Sequence, residues 1–300
     1  MQDANGLAPG LMIIHGNRLE TLRELAVDWM RAHPLAPLEN EVILVQSNGI
    51  AQWLQMALAA DPAQGGCGIA AALDVQLPAR LLWDSYRGVL GRDSVPEQSP
   101  LDKQPLTWRL MRLLPALQDQ PDFAPLKRFL ADDHDCRKRY QLAVRLADLF
   151  DQYQVYRADW LNDWAAGRDH IGLARTGARP LDDEERWQPA LWRAVLVDVG
   201  AERLSDSRAG IHPRFVQHLL DCDSRPASLP RRVIVFGISS LPAQTLEALA
   251  VIGRFSQVLL CVLNPCEYHW GDIVADQDLL RHEYRRQQRR PGSPVQLDES

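Results

Sequence analysis

Arg231-Arg-Val-Ile-Val-Phe-Gly237 is an apolar run stopped by glycine, and it follows a linker marked by Pro226 and Pro230. Such a run reads as a strand buried on both faces. A second run, Gln257-Val-Leu-Leu-Cys-Val-Leu263, comes after a helical stretch at Pro242–Ile252 and is ended by Asn264-Pro265. The opening of the chain has the same rhythm. Leu11-Met-Ile-Ile-His-Gly16 reads as a strand, and Asn17–Met30 as an amphipathic helix with Asn17 at its N-cap. Glu41–Gln46 is a second strand, Ser47-Asn-Gly leads into a helix through Met56, and Ile69–Val75 is a third extended run. Strands alternating with helices imply a parallel sheet with helices on its faces.

Between these two ends the character changes. Ala79–Leu90, Leu106–Leu117, Leu126–Asp132, Lys138–Tyr156 and Pro189–Val199 all carry helical periodicity, and no strand is expected among them. The expected organisation is an α/β domain begun by residues 1–78, an all-helical insertion over 79–224, and a return to the α/β domain over 225–300. The basic segment Arg281–Arg290 and the closing residues complete no domain, so the chain is expected to be a piece of a longer polypeptide.

The chain has 300 residues, 46% hydrophobic and 24% charged, with a net charge of −6. These values exclude a disordered tail, a collagen-like rod, a disulfide miniprotein and a generally basic nucleic-acid coat, though not local basic patches. The first residues hold no basic stretch before an apolar run, so no secretory signal is expected. The apolar runs are strand-sized, well short of the ~20 residues that span a bilayer. No membrane association is expected. Five scattered cysteines fit reduced, buried thiols in a cytoplasmic protein; Cys261 and Cys266 lack the second pair that a zinc site needs. Only 3 of the 33 basic residues are lysine, a skew that reflects genome composition before function.

A strand–glycine–helix start invites comparison with a phosphate-binding loop, which needs a Gly-rich backbone cradle, a Lys and a Ser/Thr for magnesium. The loop His15-Gly-Asn-Arg-Leu-Glu-Thr-Leu22 has one glycine and no lysine, leaving Arg18 as its only cation. The acid that would hold magnesium should end a later buried strand, yet Val233–Phe236 runs into Gly237-Ile-Ser-Ser-Leu241 without one. The pairs Asp132-Asp133, Asp182-Asp183 and Glu184-Glu185, together with His212 and His218, read as solvated surface. On the helix Arg139–Tyr156, Leu142, Leu146, Leu149, Phe150 and Tyr153 form one apolar stripe. Arg145, Asp148, Asp151 and Gln152 fall outside it. Taken alone, that polar face reads as solvated; Asp and Gln are also residues that hydrogen-bond base edges. Trp53, Trp83 and Trp108 could stack bases, but single helix aromatics more often belong to a core.

Several strings together resemble one family. They are His15-Gly-Asn-Arg-Leu, Ile43-Leu-Val-Gln-Ser-Asn-Gly-Ile-Ala-Gln-Trp-Leu-Gln-Met56 and Leu77-Pro-Ala-Arg-Leu-Leu-Trp-Asp84. Further along come Ala147-Asp-Leu-Phe-Asp-Gln-Tyr-Gln-Val-Tyr-Arg-Ala-Asp-Trp-Leu161, Trp187-Gln-Pro-Ala-Leu-Trp192, Phe236-Gly-Ile-Ser-Ser-Leu-Pro242 and Asn264-Pro-Cys-Glu-Tyr-His-Trp-Gly-Asp272. In this order they resemble the RecC family, gamma subunits of exodeoxyribonuclease V, the RecBCD helicase–nuclease.

The resemblance implies a fold of P-loop-NTPase type, a superfamily 1 helicase motor domain whose ATPase motifs have decayed, carrying a large helical insertion. It implies a heterotrimer with RecB-like and RecD-like subunits that use ATP and Mg2+, and no catalytic centre or cofactor in this chain. It also implies binding of double-stranded DNA ends and scanning of the 3′-ended single strand for the Chi octamer. The scanning residues it implies are Gln46, Asn48, Gln52, Leu77, Trp83, Asp148, Leu149, Asp151, Gln152, Arg157 and Arg208. Asn48 stands where the family pattern has threonine and still offers a donor and an acceptor. Arg208 lies in diverged surroundings. Two other readings stay open: an active DNA-dependent ATPase with an atypical loop, and a purely structural partner of the motor subunit.

Overall fold

The computed structural model describes residues 8–173 and 177–264. The chain opens with β1 (Gly10–Gly16), α1 (Leu19–Ala32), β2 (Glu41–Leu44), α2 (Asn48–Ala59) and β3 (Leu73–Gln76). Helices follow: α3 (Pro78–Leu90), α4 (Lys103–Leu117), α5 (Ala124–Leu130), α6 (Arg137–Tyr156) and α7 (Ala158–Ala165). Next are β4 (His170–Leu173), β5 (Gly177–Pro180), α8 (Trp187–Val199), α9 (Ala201–Leu204) and α10 (Arg208–Asp221). β6 (Arg232–Phe236), α11 (Ala243–Ile252) and β7 (Gln257–Leu263) complete it. No described helix is long and apolar enough to cross a membrane.

The α/β expectation holds. Five strands form one sheet in the order β1-β7-β6-β2-β3, and every neighbouring pair is parallel. β6 is buried along its whole length, which is why its sequence is apolar without alternation. One sheet face, with Ile43, Ile234, Phe236 and Leu259, packs on Leu22, Ala26, Leu54 and Leu58 of α1 and α2. The other, with Leu44, Val233, Val235 and Leu260, packs on Leu82, Tyr86, Ile211, Phe215 and Ile252 of α3, α10 and α11. Each large side chain so buried contributes about 1.5–3 kcal/mol. At the amino-terminal edge of the sheet Arg232 is fully buried against Glu41 of the neighbouring strand. Its Nε donates to one carboxylate oxygen at 2.9 Å and its Nη2 to the other.

α4, α6, α7 and α8 share a separate core. Leu106, Leu110, Leu146, Phe150, Trp164, Leu191 and Trp192 meet there. Phe150 and Leu146 of the α6 stripe lie in it, with Leu142 and Tyr153 packed alongside. α3 and α10, read from sequence with the helical stretch, pack instead against the sheet.

Several expectations are corrected. The insertion is not all-helical: β4 and β5 pair antiparallel, from His170 with Pro180 to Leu173 with Gly177. Gly, Arg and Pro give β5 no apolar rhythm, and β4 is held by side chains of α7 and of the α6–α7 junction. Trp160 Nε1 donates to the Gly172 carbonyl at 2.9 Å, Arg157 Nη2 to the same oxygen at 2.5 Å, and Trp164 Nε1 to that of His170 at 2.9 Å. The third strand begins at Leu73, and Ile69 is 67% exposed. Arg18 rather than Asn17 precedes the first turn of α1, with no side-chain cap. His212 is buried, whereas His218 and most of the acidic pairs lie at the surface. Of the thiols, Cys261 is buried, Cys67 and Cys222 are half-buried and Cys136 is exposed. Cys266, Arg281–Arg290 and the string after Asn264 lie outside the described residues.

Candidate functional site

In open α/β sheets ligands settle outside the carboxyl ends of the strands. Here that end opens into a groove of about 330 Å³. Gln46 leaves β2 into it, just before Ser47 caps α2 by accepting the Ile50 N–H at 3.4 Å. Leu77 follows β3 and is 53% exposed. Its extended backbone (φ −78°, ψ 148°) is set by Pro78, whose missing N–H costs nothing in the first turn of α3.

The second wall comes from the helical part. Asp151, Val155 and Tyr156 bring the last turns of α6 to the groove, and Arg208 brings the first residue of α10. The third wall is the loop from Ile238 to Pro242 and the start of α11 at Thr245. That loop turns on Gly237, whose φ of 65° is left-handed and whose Cβ would meet Ile50 at 3.0 Å. Both facts favour glycine.

Gln46, Leu77, Asp151 and Arg208 therefore share one groove. Burial raises the Asp102 carboxyl above its ordinary range and the Asp151 charge adds to this, while the Ser99 N–H and the Arg208 charge oppose it. The Arg208 guanidinium also lies 5.9 Å from the Trp83 ring centre, and that of Arg87 lies 5.7 Å from it.

The remaining residues on the implied list are placed elsewhere. Asn48 and Gln52 are exposed on α2, four residues apart and so on one face. Asp148 accepts from Lys103 Nζ at 2.5 Å and from Gln152 Nε2 at 3.3 Å. The Lys103 hydrogen bond and charge hold its carboxyl below the usual range. Leu149 and Trp83 are half-buried. The Arg157 guanidinium is engaged within the chain: Nε and Nη2 reach Asp159 at 3.1 and 2.8 Å, and it stacks 3.7 Å from the Trp160 ring centre.

A relay running from buried Tyr86 and His212 to the exposed Glu247, absent from the sequence reading, ties together three of the four helices that reach this groove. The Tyr86 hydroxyl lies 2.8 Å from His212 Nδ1, and His212 Nε2 lies 3.0 Å from Glu247 Oε2. A carboxylate only accepts, so Nε2 donates to it, and in the neutral ring Nδ1 accepts the phenol proton. Burial pushes the Tyr86 phenol well above its ordinary value, which keeps that proton in place. Tyr86→Phe leaves Nδ1 buried and unpaired, and is expected to cost about 1–3 kcal/mol in urea denaturation. A cost near zero would show that the relay carries no stability.

The loop between β1 and α1 has one glycine, Gly16, and a Cβ there would meet the Leu22 side chain at 3.0 Å. β1 lies at the sheet edge beside β7, and β6 ends in Phe236-Gly237 without an acid.

A family model described as RecC, N-terminal domain, matches residues 11–297. The RecBCD enzyme subunit RecC of Escherichia coli strain K12 is 42% identical over 269 residues, covering 88% of this chain and 22% of that protein. The RecBCD enzyme subunit RecC of Haemophilus influenzae is 35% identical over 293 residues, covering 93% of this chain and 25% of that protein. The Mycolicibacterium smegmatis protein of the same name is 25% identical over 295 residues, covering 95% of this chain and 24% of that protein. The chain thus spans about a quarter of the length of these relatives.

Proposed function

The chain belongs to the RecC family, and from that premise we propose that it is the DNA-reading, non-catalytic part of a RecBCD-type helicase–nuclease. In this reading it works in the bacterial cytoplasm beside RecB-like and RecD-like subunits, in recombinational repair of double-strand breaks. Those subunits use ATP and Mg2+. Its sheet is that of a superfamily 1 motor domain that has lost nucleotide binding, which the bare β1–α1 loop supports.

The observation that carries the proposal is the meeting of Gln46, Leu77, Asp151 and Arg208 in one groove. They come from four separate places in the sequence. Their chemistry is mixed: an amide and a carboxylate for base edges, a guanidinium for phosphate or base, and an apolar side chain for packing. A 3′-ended single strand presents its base edges without a groove of its own, so such residues can scan it for Chi.

The test is Asp151→Ala and Gln46→Ala in the assembled complex. Each is expected to remove base hydrogen bonds worth about 1–3 kcal/mol of discrimination, lowering the response to Chi about tenfold or more. Unwinding rate and subunit assembly are expected to stay as in the wild type. A full Chi response in both variants would remove the groove from recognition and favour a purely structural role.

A further inference from the structure

We infer that Tyr156 is the stacking surface of this groove, a contact to single-stranded DNA beyond those of the implied residues. The inference rests on the groove reading above. Tyr156 ends α6 and lines the groove five residues beyond Asp151, yet 63% of it is exposed. Its hydroxyl bonds to no described residue, and no described ring packs against it. An aromatic side chain left bare inside a concavity contributes little to the fold around it, so its use lies in what enters.

The tryptophans singled out from the sequence are less available. Arg87 and Arg208 crowd the Trp83 ring at 5.7 and 5.9 Å, and Tyr86 meets it edge-on at 5.7 Å. Trp53 lies under Arg23 at 4.5 Å and beside Phe236 at 6.2 Å. Trp108 pairs with Tyr140 at 5.9 Å and does not line the groove. Among the described residues Tyr156 is the one aromatic in the groove wall, with Leu77, Val155 and Pro242 supplying further apolar surface.

The division of labour follows from the chemistry. Every nucleobase has a π-face, so stacking on Tyr156 holds any sequence. Base edges then meet Gln46, Asp151 and Arg208, which distinguish one sequence from another. A ring with few rotatable bonds does this at low entropic cost. Tyr156 therefore supplies affinity and the polar residues supply discrimination.

The experiment uses the assembled complex and forked DNA with a 3′ tail of thymidines, long enough or too short to reach the groove. The ratio of the two affinities isolates what the tail adds. Tyr156→Ala is expected to shrink that ratio by roughly tenfold, whereas Tyr156→Phe keeps it within about twofold because the ring face remains. A 5-iodouracil in the long tail is expected to crosslink to the peptide holding Tyr156. Loss of the ratio in both variants would assign the contact to the hydroxyl and overturn stacking. A wild-type ratio in Tyr156→Ala, with Chi response lost in Asp151→Ala, overturns the role of Tyr156 and leaves the groove standing. Wild-type behaviour in both alanine variants overturns the groove and this inference together.

Discussion

Glu41→Ala is expected to lower the unfolding free energy by about 3–5 kcal/mol, since it strips a buried guanidinium of its counter-charge. Arg232 is wholly buried and Glu41 nearly so, with 0% and 13% of their side chains exposed. Two N–H groups of Arg232 lose their acceptors at once, and its Nη1 has no hydrogen-bond partner among the described residues even before the change. The cost arises from that stranded charge rather than from attraction lost, which a second variant separates. Replacing both residues with apolar ones, Glu41→Leu with Arg232→Met, is expected to recover most of the loss. Urea denaturation of the single and double variants reads this directly. A single-variant loss under about 1 kcal/mol would mean that water reaches the guanidinium when its partner is gone.

Trp164→Ala is expected to cost a similar amount, about 3–5 kcal/mol, as a cavity in the helical core. Trp164 is fully buried, with the rings of Tyr153 and Trp160 at 5.8 and 6.2 Å. Its Nε1 also donates to the His170 carbonyl, so the loss reaches β4. Amide exchange at Ile171 and Gly172 is expected to quicken along with the fall in stability. Trp164→Phe keeps most of the packing and drops one hydrogen bond, so its cost is expected to be about 1 kcal/mol. Equal losses in the two variants would place the whole effect in the hydrogen bond.

The strands that could be read in advance are those whose own residues demand burial. Val233–Phe236 and Val258–Cys261 are apolar throughout because helices cover both sheet faces there. β4 and β5 could not be read that way, since the side chains that hold β4, from Trp160 and Trp164 of α7 and from Arg157 between α6 and α7, lie outside the two strands. His212 misled for the same reason: its partners, Tyr86 and Glu247, lie 126 and 35 residues away. No local pattern announces a relay of that span.

The groove was legible only in part. Its polar members came from the family resemblance, and the outward face of α6 alone reads as solvated surface. What the resemblance did not supply was grouping. Gln46, Leu77, Asp151 and Arg208 meet, while Asp148 is tied to Lys103 and Arg157 to Asp159. Tyr156 lay inside a quoted string without a role, and nothing short of the fold showed that its ring is bare. The Phe236–Pro242 string likewise gained its meaning as a groove wall.

The sheet order has a consequence for synthesis of the protein. Among the described strands β1 pairs with β7, and β2 lies between β3 and β6, so the first two strands are not neighbours. A ribosome adding about 5–20 residues per second takes roughly 10–40 s to travel from residue 44 to residue 232. The same delay separates the emergence of Ile43, Leu44 and Val45 from the exit tunnel from that of the central strand that covers them. The helical block, whose packing partners are closer in sequence, is complete first. The nascent chain thus carries an unfinished sheet on either side of a finished helical globule, and it is the arrival of β6 that commits the two ends to each other.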